Sequence, residues 1–169
     1  LHLYLLNSLN NNIWFYKINL LVIYLIKTYY SLYYNMKKII VTGGSGFIGS
    51  NLVNFLIKKK FFVINIDKLT YSSNTYNNNN KNKKNYKFYK LDINNKNKLI
   101  KIIEKNKPVA IFNLAAETHV DRSIDEPKNF IITNILGVFN LLEALKVLKK
   151  RKINTKLIHI STDEVYGDI

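Results

Sequence analysis

A chain of 169 residues allows one domain with a sizeable core, and its 47% apolar and 13% aromatic content excludes a disordered chain. The absence of cysteine excludes disulfide frameworks, thiolate zinc sites and cysteine nucleophiles, and suits a cytoplasmic protein. The net charge of +15 is almost all lysine, with Arg122 and Arg151 the only arginines; it travels with Asn, Ile and Tyr, as in an AT-rich coding sequence, so no nucleic-acid partner is expected.

Residues 1–35 contain no acidic residue and no glycine. The apolar run from Ile18 to Ile26, bracketed by Lys17 and Lys27, falls short of the roughly 20 residues of a membrane span. No small-residue cleavage site is evident. Met36 is the sole methionine, so 1–35 is expected to be a non-domain extension, upstream translation ahead of a start at Met36, with a weak membrane anchor as the alternative.

From Lys37 the pattern becomes regular. Lys37–Thr42 is a short β-branched run ending in glycines and predicts a buried strand. Gly46–Lys60 has helical spacing through Phe47, Ile48, Leu52, Val53, Leu56 and Ile57. Phe61–Ile66 and Tyr86–Leu91 predict strands two and three. Between them Asn77–Asn85, low in complexity and polar, predicts a mobile surface loop. Lys96–Asn106 predicts a helix with Leu99, Ile102 and Ile103 inward, ended by Pro108. Val109–Leu114 is a fourth strand. A helix should begin at Asp125-Glu126-Pro127 and present Ile131, Ile135, Val138, Leu142 and Leu145 as its apolar face. Lys156–Ser161 is a fifth strand, with His159 facing a neighbouring helix. Strands alternating with helices imply a parallel α/β sheet, doubly wound in the order 3-2-1-4-5.

Thr42-Gly43-Gly44-Ser45-Gly46-Phe47-Ile48-Gly49 follows the first strand and opens the first helix. Glycines there permit a tight turn, close approach of a pyrophosphate and tight packing of helix on strand. The helix N-terminus offers N–H groups and partial positive charge. Asp67 closes the second strand 18 residues after Gly49, near the ~20 at which a carboxylate meets the ribose hydroxyls of a dinucleotide. A carboxylate repels a 2′-phosphate, which predicts NAD over NADP. A P-loop is excluded, since no Gly-Lys-Ser/Thr follows. The other reading is a glycine-rich turn that binds a different nucleotide. A hydrolase built on Ser161, His159 and Asp163 lacks the Gly-x-Ser-x-Gly turn.

Gly43–Gly49 resembles the extended short-chain dehydrogenase/reductases that act on nucleotide sugars. Asp67-Lys68-Leu69-Thr70-Tyr71 is similar to the ribose-binding turn of the dTDP-glucose 4,6-dehydratases among them, and Asp92-Ile93 to their adenine-contacting pair. Leu114-Ala115-Ala116-Glu117-Thr118-His119-Val120-Asp121-Arg122-Ser123 resembles the stretch lining cofactor and sugar, with Thr118 where that family often has Ser. Thr133-Asn134-Ile135 resembles a cofactor-contacting helical segment, and His159–Asp168 the fifth-strand active-site sequence. The resemblance spans Met36 to Ile169.

It implies a Rossmann-type NAD-binding domain over 36–169, truncated after about five strands. The cofactor would be held by Gly43, Gly46, Phe47, Ile48, Gly49, Asp67, Lys68, Leu69, Thr70, Asp92, Ile93, Leu114, Ala115, Ala116, Glu117, Thr118 and Thr133. Thr118 and Thr162 would touch the sugar of dTDP-glucose. Glu164 would remove the C5 proton once C4 is oxidised, Asp163 would protonate the departing C6 hydroxyl, and Thr162 would bond the C4 oxygen. Adjacent carboxyls push their pKa values apart, which suits one acid and one base. No metal is implied: His119 is expected to be structural and Tyr166 a packing residue. The family's Tyr-x-x-x-Lys pair and its C-terminal substrate domain would lie beyond Ile169. The expectation is therefore an N-terminal part of a dimeric dehydratase, inactive alone, with a catalytically dead NAD-binding module or a related epimerase or decarboxylase as alternatives.

Overall fold

The computed structural model describes residues 36–73, 80 and 82–162. The expectations for residues 1–35, for most of 74–81 and for Asp163, Glu164 and Tyr166 lie outside the described residues. The unit Lys37–Ile169 contains every element discussed here.

The elements run β1 (Lys38–Thr42), α1 (Phe47–Lys58), β2 (Phe62–Asp67), β3 (Tyr86–Lys90), α2 (Lys96–Asn106), β4 (Ala110–Asn113), a short α3 (Val120–Asp125), a long helix α4 (Pro127–Lys150) and β5 (Lys156–His159). Within α4 the stretch Ile131–Leu136 is π-helical. The five strands form one parallel sheet in the order β3-β2-β1-β4-β5. This is the doubly wound order that the alternating pattern predicts. Thr42 pairs with Ile66 and Asn113, and Asn113 with His159, so the strands end level. The direction of winding reverses between β1 and β4, which opens a crevice at their carboxyl ends.

All six residues of β2 are buried, as expected of a central parallel strand covered on both faces. On one face Ile39, Val41 and Val63 pack with Val53, Leu56 and Ile57 of α1 and with Tyr86. The alternate residues Ile40, Ile64, Ile66 and Ile111 are fully buried on the other face. There α2 supplies Leu99 and Ile103, and α4 supplies Leu141, Ala144 and Leu148.

The apolar face predicted for α4 holds only in part, with Val138 and Leu145 half-buried. Ile131, Ile135 and Leu142 are exposed, while Thr133, Gly137, Asn140, Leu141, Ala144 and Leu148 face inward. Close approach decides the register: a Cβ on Gly137 would collide with the Ile93 side chain, and Asn140 Nδ2 donates to the Ile93 carbonyl (3.4 Å). By length and composition α4 could cross a membrane, with mean hydropathy 1.7, but its inward side is part of this core.

Two asparagines of the polar loop are also tied down. Asn80 is buried and donates to Asn54 Oδ1 (2.7 Å). Asn85 donates to the carbonyls of Ile57 (3.2 Å) and Phe61 (2.9 Å). His159 is exposed and meets Asn113 rather than a helix.

Candidate functional site

The turn from β1 to α1 is built on backbone close to backbone. Gly43 has φ +68°, and a Cβ there would lie 2.6 Å from the Leu114 carbonyl oxygen. Its N–H donates to the Ile66 carbonyl (2.9 Å), joining the loop to the end of β2. A Cβ on Gly49 would overlap the Gly43 carbonyl, so α1 starts directly against the turn. Ser50 N–H donates to the Gly46 carbonyl (3.0 Å), one turn back. The N–H groups ahead of it, on Phe47, Ile48 and Gly49, belong to the first turn and lack such an intrahelical partner. That turn is an anion-binding surface.

Asp67 stands beside it. One carboxylate oxygen accepts from the Ser45 N–H (2.9 Å), and the other from the Leu69 N–H (2.8 Å) and Ser73 Oγ (3.3 Å). A carboxylate has about four acceptor positions, so one remains for a further hydroxyl. The Leu69 contact closes a tight turn in which Leu69 adopts φ +59°, a backbone conformation that its side chain disfavours.

Beneath the loop lies a polar cluster that the sequence reading missed. Asn65 Nδ2 donates to Ser45 Oγ (3.2 Å) and to Tyr86 Oη (3.1 Å). Burial, with the charge of Asp67 adding to it, pushes the Tyr86 phenol above its usual range, against the pull of the Asn65 bond. The only sequence signal was an asparagine inside an otherwise apolar strand.

A cavity of about 510 Å³ opens above these groups. The glycine turn contributes Gly43, Gly46, Phe47, Ile48 and Gly49, and the end of β2 contributes Asp67, Lys68 and Thr70. Asp92 and Ile93 after β3, Leu114, Ala115, Ala116 and Thr118 after β4, and Thr133 of α4 complete most of the wall. Thr162 lines it from beyond β5. Leu69 and Glu117 are not among the lining residues. Leu69 acts through its backbone on Asp67, and Glu117 pairs with Lys68 at 3.0 Å. The residues not singled out as contacts are Ser72, Ser73, His119, Ser161 and three apolar neighbours. The His119 ring lies 5.5 Å from that of Tyr71.

A row of side chains crosses the sheet at this end. Thr42 Oγ1 donates to Asn113 Oδ1, and Asn113 Nδ2 lies 3.0 Å from His159 Nδ1.

The site thus offers N–H groups and a helix terminus to an anion, and one open carboxylate position to a hydroxyl, within one crevice. The family model described as GDP-mannose 4,6 dehydratase matches residues 40–169. A dTDP-glucose 4,6-dehydratase of Haemophilus influenzae is 48% identical over 79% of this chain and 42% of its own length. The crystal structure of dTDP-glucose 4,6-dehydratase from Bacillus anthracis in complex with NAD is similar at TM-score 0.65 and 40% identity, over 79% of this chain and 40% of that one. UDP-glucose 4-epimerase from Thermotoga maritima, solved with UDP-glucose, is similar at TM-score 0.67 and 35% identity, over 78% and 40%. The chain spans about two fifths of the length of these relatives.

Proposed function

The chain belongs to the GDP-mannose 4,6 dehydratase family, and on that premise we propose that it carries the NAD-binding part of a nucleotide-sugar dehydratase that converts dTDP-glucose to dTDP-4-keto-6-deoxyglucose and water. The observation that carries the reading is the Asp67 carboxylate, 2.9 Å from the N–H of Ser45 in the glycine turn. One crevice then receives both the diphosphate and the adjoining ribose. The first turn of α1 binds the diphosphate. The open acceptor position of Asp67 takes a ribose hydroxyl. Asp92 and Ile93 stand at the adenine end, and Ala115 and Ala116 let the cofactor lie close to the backbone.

When bound, NAD would take the C4 hydride of the sugar as the C4 hydroxyl proton passes to the tyrosine of the family's Tyr-x-x-x-Lys pair, and the hydride would return to C6 as Glu164 gives a proton back to C5. By resemblance, Thr118 and Thr162 orient the hexose. Glu164 takes the C5 proton, which the C4 carbonyl has acidified, and Asp163 protonates the C6 oxygen as it leaves. The Asp163-Glu164 pair favours this reading over the epimerases, which differ after the serine-threonine step. The epimerase reading is supported by the likeness to the Thermotoga maritima enzyme. We further read the full-length protein as a homodimer, on the support of the exposed stripe Ile131, Ile135, Phe139 and Leu142 along α4, and as cytoplasmic, which its cysteine-free sequence suits.

Titration calorimetry of the chain with NAD tests the cofactor assignment. Asp67→Asn should weaken NAD by about 1.5–3 kcal/mol, the scale of a hydrogen bond to a charged group. Unchanged affinity in that variant would remove the ribose role of Asp67.

A further inference from the structure

Glu117 does not line the cavity, yet its carboxylate lies 3.0 Å from Lys68 Nζ. Lys68 does line it, directly after Asp67, and its ammonium also reaches Thr133 Oγ1 at 3.4 Å. The Glu117 side chain is more buried than that of Lys68, at 14% against 32% exposed. Its backbone is fixed by Asn134, whose Oδ1 accepts from the Glu117 N–H and whose Nδ2 donates to the Glu117 carbonyl, both at 2.9 Å. The carboxylate is therefore held in place behind the ammonium.

This arrangement sets the charge of the cavity wall. Asp67, Lys68 and Glu117 together carry one net negative charge. A dinucleotide with a 2′-phosphate brings further negative charge to the end where Asp67 stands. Lys68 is the cation best placed by sequence to receive that phosphate, but Glu117 and Thr133 occupy it. We infer that Glu117 is a positioning residue that withholds Lys68 from a 2′-phosphate, so that NAD is preferred over NADP by Asp67 and Glu117 together. The inference rests on the dinucleotide reading given above.

The test titrates the full chain with NAD and with NADP at low salt. Glu117→Gln should raise NADP affinity relative to NAD affinity by about fivefold, the scale of one partly exposed ion pair. Adding Lys68→Met should abolish the gain, and high salt should shrink it. If Glu117→Gln does not fold, Glu117→Asp retracts the carboxylate by one methylene and should move the ratio in the same direction by less. A variant in which both affinities fall together, or the ratio does not move, overturns the inference and leaves the cofactor reading standing. Failure of the unsubstituted chain to bind either dinucleotide overturns both.

Discussion

The glycine turn shows what single residues decide. Gly43 is required by its left-handed backbone and by the nearness of Leu114, and Gly49 by contact with Gly43 itself. These glycines were legible because steric exclusion leaves no other residue type in a turn this close. The Asn65–Ser45–Tyr86 cluster was not, because partners far apart in sequence leave no spacing signal. It has a measurable consequence at high pH. The raised Tyr86 pKa means that folding favours the neutral phenol, so its stabilising contribution is complete below the ordinary value of 10.0 and is lost as pH climbs through the folded value. Burial would also raise Tyr89, but hydrogen bonds to Lys87 and Asn106 and the charges of Lys87 and Lys105 outweigh it and lower that pKa, giving the opposite sign. Comparison with Tyr86→Phe isolates the first effect. Urea unfolding from about pH 8 to 11 should show a shallower alkaline loss in the variant, with about 1 kcal/mol lost near neutrality as Asn65 Nδ2 gives up an acceptor. An identical alkaline slope would contradict it.

At the scale of elements, α4 separates pattern from packing. Its strongest apolar stripe is the exposed one, and the buried stripe is made of small and polar residues beside Leu141 and Leu148. Periodicity weighs side chains by apolarity, whereas this contact selects for close approach at Gly137 and hydrogen bonding at Asn140. The π stretch at Ile131–Leu136 adds to the error, since a stripe counted at 3.6 residues per turn drifts across it. The register makes a direct prediction. Leu141 is fully buried and Leu142 is 52% exposed. Leu141→Ala should cost about 2–5 kcal/mol, the usual range for a buried leucine, and Leu142→Ala about 1 kcal/mol or less. Equal losses in urea unfolding, or a larger loss for Leu142→Ala, would contradict this register. By contrast α2 kept the predicted bounds, because Asn95 caps Lys98 N–H at one end and Lys107 turns left-handed just before Pro108 at the other.

For the molecule as a whole, the strand order followed from the alternation of short apolar runs with amphipathic helices, since right-handed crossovers leave few other arrangements. The order in turn sets β1 beside both β2 and β4, so the glycine turn, Asp67 and Leu114–Thr118 meet at one crevice. Beyond the glycine turn and Asp67, the segments after the strands were legible only through family resemblance, because loop residues carry no periodicity. The central claim is that this crevice binds an adenine dinucleotide, with the diphosphate on the first turn of α1 and the ribose on Asp67. Titrating the isotope-labelled chain with NAD while following backbone amide resonances tests it most directly. The account predicts saturable shifts centred on Gly43–Gly49 and Asp67–Thr70. No saturable shift, or shifts confined to residues away from the cavity, would contradict it.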